Sequence, residues 1–358
     1  AAHPDPGTRP VSAPDAPTQG RLRIALLVHE YNRWMGHSRY TAELAARFKK
    51  EHDVHVFTNA VEEPDPTGIT FHHVPMWRAN ALTNIVSFIL PATIIARGRF
   101  DIVHAQGLCG LRQNVVTAHI CQPAWYAAGA QYAPETGWRK RVFRAVALGL
   151  DRLVMRRAAA ARFIAPSARV KADLDAHYGL GDAVRVVFHG TDTDTFHPRN
   201  RERWRAPVRA ELGLRPDECV ALYVGDLRKA MPASIRATAR VPGVKLVAVS
   251  RSDPAPDLTL AADLGVADRV IFAPPAGAAE LVAHGVNGWV TADPWNPDQI
   301  AEGVRCLAAD PALREKMGNA ARVAVEAYTW DRTAAETMSV YREVVAARRS
   351  RSGSPVHV

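Results

Sequence analysis

From Arg21 onward, apolar runs of strand length alternate with stretches of helical period, and this rhythm limits the fold more than any other property of the chain. The first run is Arg21–His29; further strand-like segments begin at Val54, Ile69, Asp101, Asn114, Ala161 and Val184. Between the first two, Tyr40, Leu44 and Phe48 repeat every four residues, as one face of a helix would. Such alternation predicts a parallel sheet with right-handed helical crossovers. A polar stretch, His197–Pro207, interrupts it and marks a boundary. The rhythm then restarts with Cys219–Val224, Val244–Val249, Arg269–Phe272 and a strand from Gly288. Helices near Pro311–Ala327 and Asp331–Arg348 close the chain. Thr329 is placed to cap the last one, and Asp331 in its first turn suits the helix dipole. The expectation is an α/β protein of two doubly wound units, 21–198 and 199–330, followed by a C-terminal helix over 331–349. The Pro- and Ala-rich residues 1–20 and the tail 350–358 read as disordered, and the former lacks the apolar core of a signal peptide.

The second unit opens with the residues best suited to an anion. Cys219–Val224 runs into a turn at Gly225 that carries adjacent cations, Arg228 and Lys229. In an open α/β sheet ligands bind beyond the carboxyl ends of strands, where the following helix N-terminus also favours negative charge. The net charge of +9 agrees with a phosphorylated substrate, an anionic membrane or a nucleic acid. Zinc-finger spacing, an RNP-like strand and a basic tail are all missing, which argues against nucleic acid. The four cysteines form no CxxC and the fourteen histidines no HExxH, so buried thiols in a reducing compartment are expected and neither a metal nor another cofactor is indicated. Ala81–Ala96 is the most apolar segment, but Asn84, Ser87, Pro91 and Thr93 interrupt it, and a core or interface helix suits it better than a membrane span. The first strand leads to Met35–Ser38 in place of GxGxxG, which weakens a dehydrogenase reading.

Seven stretches, Gly36–Tyr40, Thr117–His119, His189–Pro198, Gly225–Lys229, Ala261–Phe272, Ala278–Trp289 and Tyr328–Asp331, together resemble the retaining GT-B-type glycosyltransferases of family 4 in order and approximate spacing. The resemblance covers nearly the whole chain from Arg21. It implies a GT-B-like fold, two Rossmann-type domains facing a cleft, with a nucleotide sugar against the second and the acceptor against the first. By the same resemblance, Gly36 lets backbone approach the donor, with His37, Ser38 and Arg39 following at a helix start. His119 is the catalytic candidate, bonding the sugar or steadying developing charge. Gly190 lies where the family has Asn-Gly, His189 standing in the Asn position. Arg228 and Lys229 match the cation pair that neutralises the donor diphosphate, although here they are adjacent.

One departure bears on activity. After Phe272 the family continues through a helix, a strand and a glutamate-bearing loop, whereas here Ala273–Pro275 runs directly into Ala276. The missing piece near 273–276 is at least one βα unit, roughly 30–40 residues. With it go two donor-binding glutamates, for which Glu280, in the later helix, is no substitute. The resemblance thus implies a retaining hexosyltransferase moving sugar from a UDP- or GDP-sugar to a glycan, lipid-linked or small-molecule acceptor in cell-envelope or other glycan synthesis. The alternative is an impaired relative that binds nucleoside diphosphate alone. Residues Trp138–Lys171 hold many cations and one early acid, Asp151, and Val142, Phe143, Val146, Leu150, Leu153 and Val154 follow helical spacing. A cytoplasmic protein is expected, and this stretch reads either as a core-facing helix with a solvated basic back or as a peripheral contact with the inner face of an anionic membrane.

Overall fold

The computed structural model describes residues 20–62, 65–98, 100–132, 137–157, 162–227, 230–250, 252–273, 286, 288–293 and 295–352. In chain order the first unit comprises β1 (Arg23–Leu27), β2 (Glu30–Tyr31), α1 (Gly36–Phe48), β3 (Asp53–Thr58), β4 (Ala60–Val61), β5 (Ile69–His73), α2 (Ala81–Ile95), β6 (Ile102–Gln106), β7 (Val115–Thr117), α3 (Gln122–Tyr132), α4 (Trp138–Arg157), β8 (Arg162–Ala165), α5 (Ala168–Tyr178) and β9 (Val184–Val186). The second comprises α6 (Asn200–Glu211), β10 (Cys219–Val224), α7 (Met231–Ala239), β11 (Val244–Val249), α8 (Ala255–Asp263), β12 (Val270–Ala273), α9 (Pro297–Ala309) and α10 (Pro311–Glu326), and α11 (Trp330–Ser352) ends the chain.

Seven parallel strands of the first unit lie in the order β5-β3-β1-β6-β7-β8-β9. Both faces of this sheet are covered, as a parallel sheet requires. Because side chains alternate along a strand, Ile24 and Leu26 point into a core shared with α1, whereas Ala25 and Leu27 meet Phe88 and Ala92 of α2. Val116, Phe163 and Ala165 continue the second face against Met155 of α4 and Leu174 of α5. The second unit has three parallel strands, β10-β11-β12, with Leu246 and Ala248 packed on Met231 and Ile235 of α7 and Ala261 of α8. Among the described residues this sheet ends at β10, where Leu222 is 65% exposed.

Three readings of the sequence change. His197–Pro207, taken as a polar boundary, is helical from Asn200; Pro207 sits inside α6, and its charges form the helix's solvent side. Gly288–Thr291, taken as a strand, contributes one bridge residue, Gly288. The closing helix belongs to the first unit: Trp330, Ala334, Met338, Tyr341 and Val344 share a core with Tyr40, Leu44, Phe48 and Val56. The proposed cap is present, Arg332 N donating to Thr329 Oγ1 at 3.2 Å. The chain therefore passes between the units twice, and the passages touch. Thr191 bridges Thr329 in parallel, and Thr333 Oγ1 donates to the Phe188 carbonyl at 2.8 Å.

Candidate functional site

The carboxyl ends of β1, β6, β7 and β9 converge where the two passages cross. After β1, Ser38 Oγ donates to the Glu30 carbonyl at 2.6 Å and Met35 N to Asn32 Oδ1 at 3.0 Å, which fixes the turn into α1. Gly36 is exposed, and a Cβ there would meet nothing within 4 Å, so the space beside it is open to a ligand. His119 follows β7 and its Nε2 lies 3.0 Å from Gln106 Oε1 at the end of β6. With that oxygen accepting, His119 carries its proton on Nε2 and leaves Nδ1 as an acceptor. Tyr40 of α1 meets His119 edge-on at 5.4 Å and His189 at 4.8 Å; His119 and His189 lie 5.4 Å apart. His37 joins them 6.2 Å from His119, and Trp330 stacks on His189 at 6.2 Å.

Burial keeps this imidazole cluster neutral. Desolvation pushes the His119 pKa well below the usual range, with His189, His37 and His104 adding repulsion. Burial takes His189 down to about 4, and it lowers His37 against the opposing pull of Glu30. At neutral pH these rings carry no charge. Several polar atoms here are buried without a hydrogen-bond partner: Gln106 Nε2, His189 Nε2 and Trp330 Nε1. Leaving such groups unpaired costs about 1–3 kcal/mol each, so polar ligand groups that satisfy them gain affinity.

Behind the cluster lies a fully buried chain of hydrogen bonds. His104 of β6 contacts Tyr341 OH and Thr117 Oγ1, both at 2.7 Å; Thr117 Oγ1 donates to Tyr40 OH at 3.3 Å, which meets Thr337 Oγ1 at 3.5 Å. It ties α11 to the ring that backs His119.

Gly190 has a different neighbour from the one expected. A Cβ there would lie 2.3 Å from Trp330 N and 2.5 Å from its Cα, so the residue must be glycine for the two passages to cross. In the second unit, Gly225 has φ +144°, a conformation for glycine, and Tyr223 OH donates to the Asp226 carbonyl at 2.7 Å to close the turn. Arg228 and Lys229 lie outside the described residues, as do Glu280 and the junction beyond Ala273. The helix after the turn is described: α7 begins without a side-chain cap and without an acid in its first turn, and so does α1. In contrast α2, α5, α9 and α10 are capped by Asn80, Ser167, Asn296 and Asp310. Uncapped N–H groups at the two glycine turns are open to an anion.

The residue types alone did not reveal Gln106, Trp330 or Tyr40 as site residues. Gln106 had a usable signal, being the polar end of an apolar strand at the sheet's binding edge. Trp330 had none, since its place depends on α11 folding back.

A family model described as Glycosyltransferase Family 4 matches residues 34–195, and one described as Glycosyl transferases group 1 matches residues 269–324. The D-inositol 3-phosphate glycosyltransferase of Acidothermus cellulolyticus is 28% identical over 87% of this chain and 86% of its own. Among solved structures, WaaG, a glycosyltransferase involved in lipopolysaccharide biosynthesis, superposes with a TM-score of 0.69 at 20% identity, covering 85% of this chain and 95% of that one. Anabaena HepE, in complex with UDP and glucose, gives a TM-score of 0.65 at 15% identity over 89% of this chain and 100% of that one.

Proposed function

The chain belongs to the glycosyltransferases, with a GT-B fold and transfer from a nucleotide sugar, and from that premise we propose a retaining transfer from a UDP- or GDP-sugar to a glycan, lipid-linked or small-molecule acceptor. The observation that carries this is the neutral cluster around His119, whose unpartnered Gln106, His189 and Trp330 atoms suit sugar hydroxyls. On this reading His119 holds a hydroxyl in place rather than shuttling a proton, because its conjugate acid is scarce at neutral pH. The leaving diphosphate gathers charge at the Gly225 turn, where the uncapped start of α7 and the cations of Arg228 and Lys229 stabilise it. Gly36 offers open space for the donor, while Gly190 serves the site by letting Trp330 close against His189. The relatives widen the acceptor choice to an inositol phosphate, and HepE makes UDP-glucose the first donor to try. The test is radiolabelled sugar transfer across UDP- and GDP-sugars with these acceptors. His119→Ala should lower kcat about a hundredfold or more with the fold intact; an unchanged rate would remove His119 from the chemistry.

A second reading, an impaired relative that holds only nucleoside diphosphate, is supported by the sheet ending at β10 among the described residues. The Acidothermus alignment supports it too, running over 399 positions, more than the whole 358-residue chain holds, while taking in 87% of it. That relative thus carries segments this chain lacks, in keeping with a deleted βα unit and its glutamates. Calorimetry separates the readings: UDP binding with no added affinity for UDP-glucose favours the impaired relative, and a clear gain from the sugar favours transfer.

A further inference from the structure

α6 and the loop that leads from it to β10 line a cavity of about 610 Å³, within the range of small-molecule sites. Arg201, Arg205 and Arg209 enter its wall at four-residue intervals, along one side of the helix. Ala206, Ala210, Leu214 and Pro216 supply the apolar remainder. The cavity lies at the opposite end of β10 from the proposed diphosphate site. Leu214 and Pro216 precede the strand and Gly225 follows it, and its six residues span roughly 20 Å.

Charge in this wall is unbalanced, with three guanidiniums against one carboxylate, Glu202. Arg209 is buried and committed: its Nη2 and Nε donate to the Arg215 carbonyl at 2.7 and 3.1 Å, which holds the loop on α6. A neutral carbonyl satisfies those donors without cancelling the charge. Arg201 and Arg205 are exposed, and Arg205 reaches the Pro216 carbonyl only at 3.4 Å, a weak contact. Desolvation, and then the charges of Arg209 and Arg201, lower the Arg205 pKa from its ordinary value, as crowding among cations does. We propose that this cavity binds a small phosphate ester, its dianion held by Arg201 and Arg205 and its apolar body set against Ala206, Ala210 and Leu214. Charge complementarity selects the anion, and a guanidinium pair suits phosphate because each presents a planar fork of N–H donors. The apolar wall selects an ester over inorganic phosphate, which would leave that surface wet. Cations merely solvated on the outside of a helix would make no such distinction. This inference does not depend on the sugar chemistry.

The test is isothermal titration of the full chain with hexyl phosphate, inorganic phosphate and hexanol at equal ionic strength. Hexyl phosphate should bind, inorganic phosphate about tenfold or more weakly by comparison, and hexanol without measurable heat. Arg201→Gln and Arg205→Gln, which keep helix propensity, should each weaken hexyl phosphate about tenfold or more. Ala210→Asp should abolish its binding by setting a carboxylate against the dianion. All three positions are exposed, so the fold is retained. Saturating UDP should leave the binding unchanged. No binding of hexyl phosphate, equal affinity for inorganic phosphate or hexanol, insensitivity to these substitutions, or displacement by UDP overturns the proposal.

Discussion

β1 and β10 start the two units on one local plan, a parallel strand, a turn bearing a glycine and an uncapped helix, yet their surroundings differ. β1 is hydrogen-bonded to β3 and β6, and Ile24, Ala25 and Leu26 are wholly buried. β10 pairs with β11 alone among the described residues, and its Leu222 faces outward. The orders β5-β3-β1 and β12-β11-β10 match; among the described residues no counterpart of β6 lies beside β10. A parallel sheet is stable when both faces are covered. The first unit meets that condition, whereas among the described residues β10 has a strand on one side alone.

The difference can be broken most directly at matched positions. Leu26→Ala, in a packed core, should cost about 3 kcal/mol in denaturant unfolding, whereas Leu222→Ala should cost under about 1 kcal/mol. Equal losses would show that β10 is covered after all. Acid should act on the first unit ahead of the second. Burial takes His104 down to about 3, so the folded chain binds fewer protons there than the unfolded one. The stability this gives is complete above about pH 6.5 and is lost as the pH falls toward 3, about 2 kcal/mol from this residue by pH 5. Thermal melts at pH 7 and pH 5 would check it, and a greater acid loss in the second unit would contradict it. Tyr341→Phe leaves His104 Nδ1 without its partner and should cost about 1–2 kcal/mol, read from the same melts. The smallest effect tests the surface: Asp331→Asn removes a 2.6 Å ion pair to Arg47, but its carboxylate is largely exposed and the change should stay within about 0.5 kcal/mol.

Much of the first unit could be read in advance because a buried parallel strand is largely apolar, as Ile24–Leu27 and Phe163–Ala165 are. α6 could not, since Arg201, Arg203, Arg205 and Pro207 look like a linker until the helix presents Arg209 to the carbonyls of Arg215 and Glu218. The site was half legible. Gly36 opens α1 and His119 follows β7, and both positions follow from strand order. Gly190 was read as a ligand contact, and the structure adds a neighbour, Trp330, 140 residues away in sequence. Periodicity gives a helix a face without saying what it meets, so the docking of α11 and the His104–Tyr341 contact lay beyond it.

That docking also orders events during synthesis. A ribosome delivers residues 20–190 long before Tyr341, so the nascent first unit has its strands while the groove for α11 stands empty, exposing Tyr40, Leu44 and Phe48. The second unit emerges in between, and the residues from Trp330 onward complete a core begun at Leu22. A ribosome that stalls near Thr329 therefore leaves a chain that has passed the second unit while the first is unfinished, a substrate for chaperone or protease.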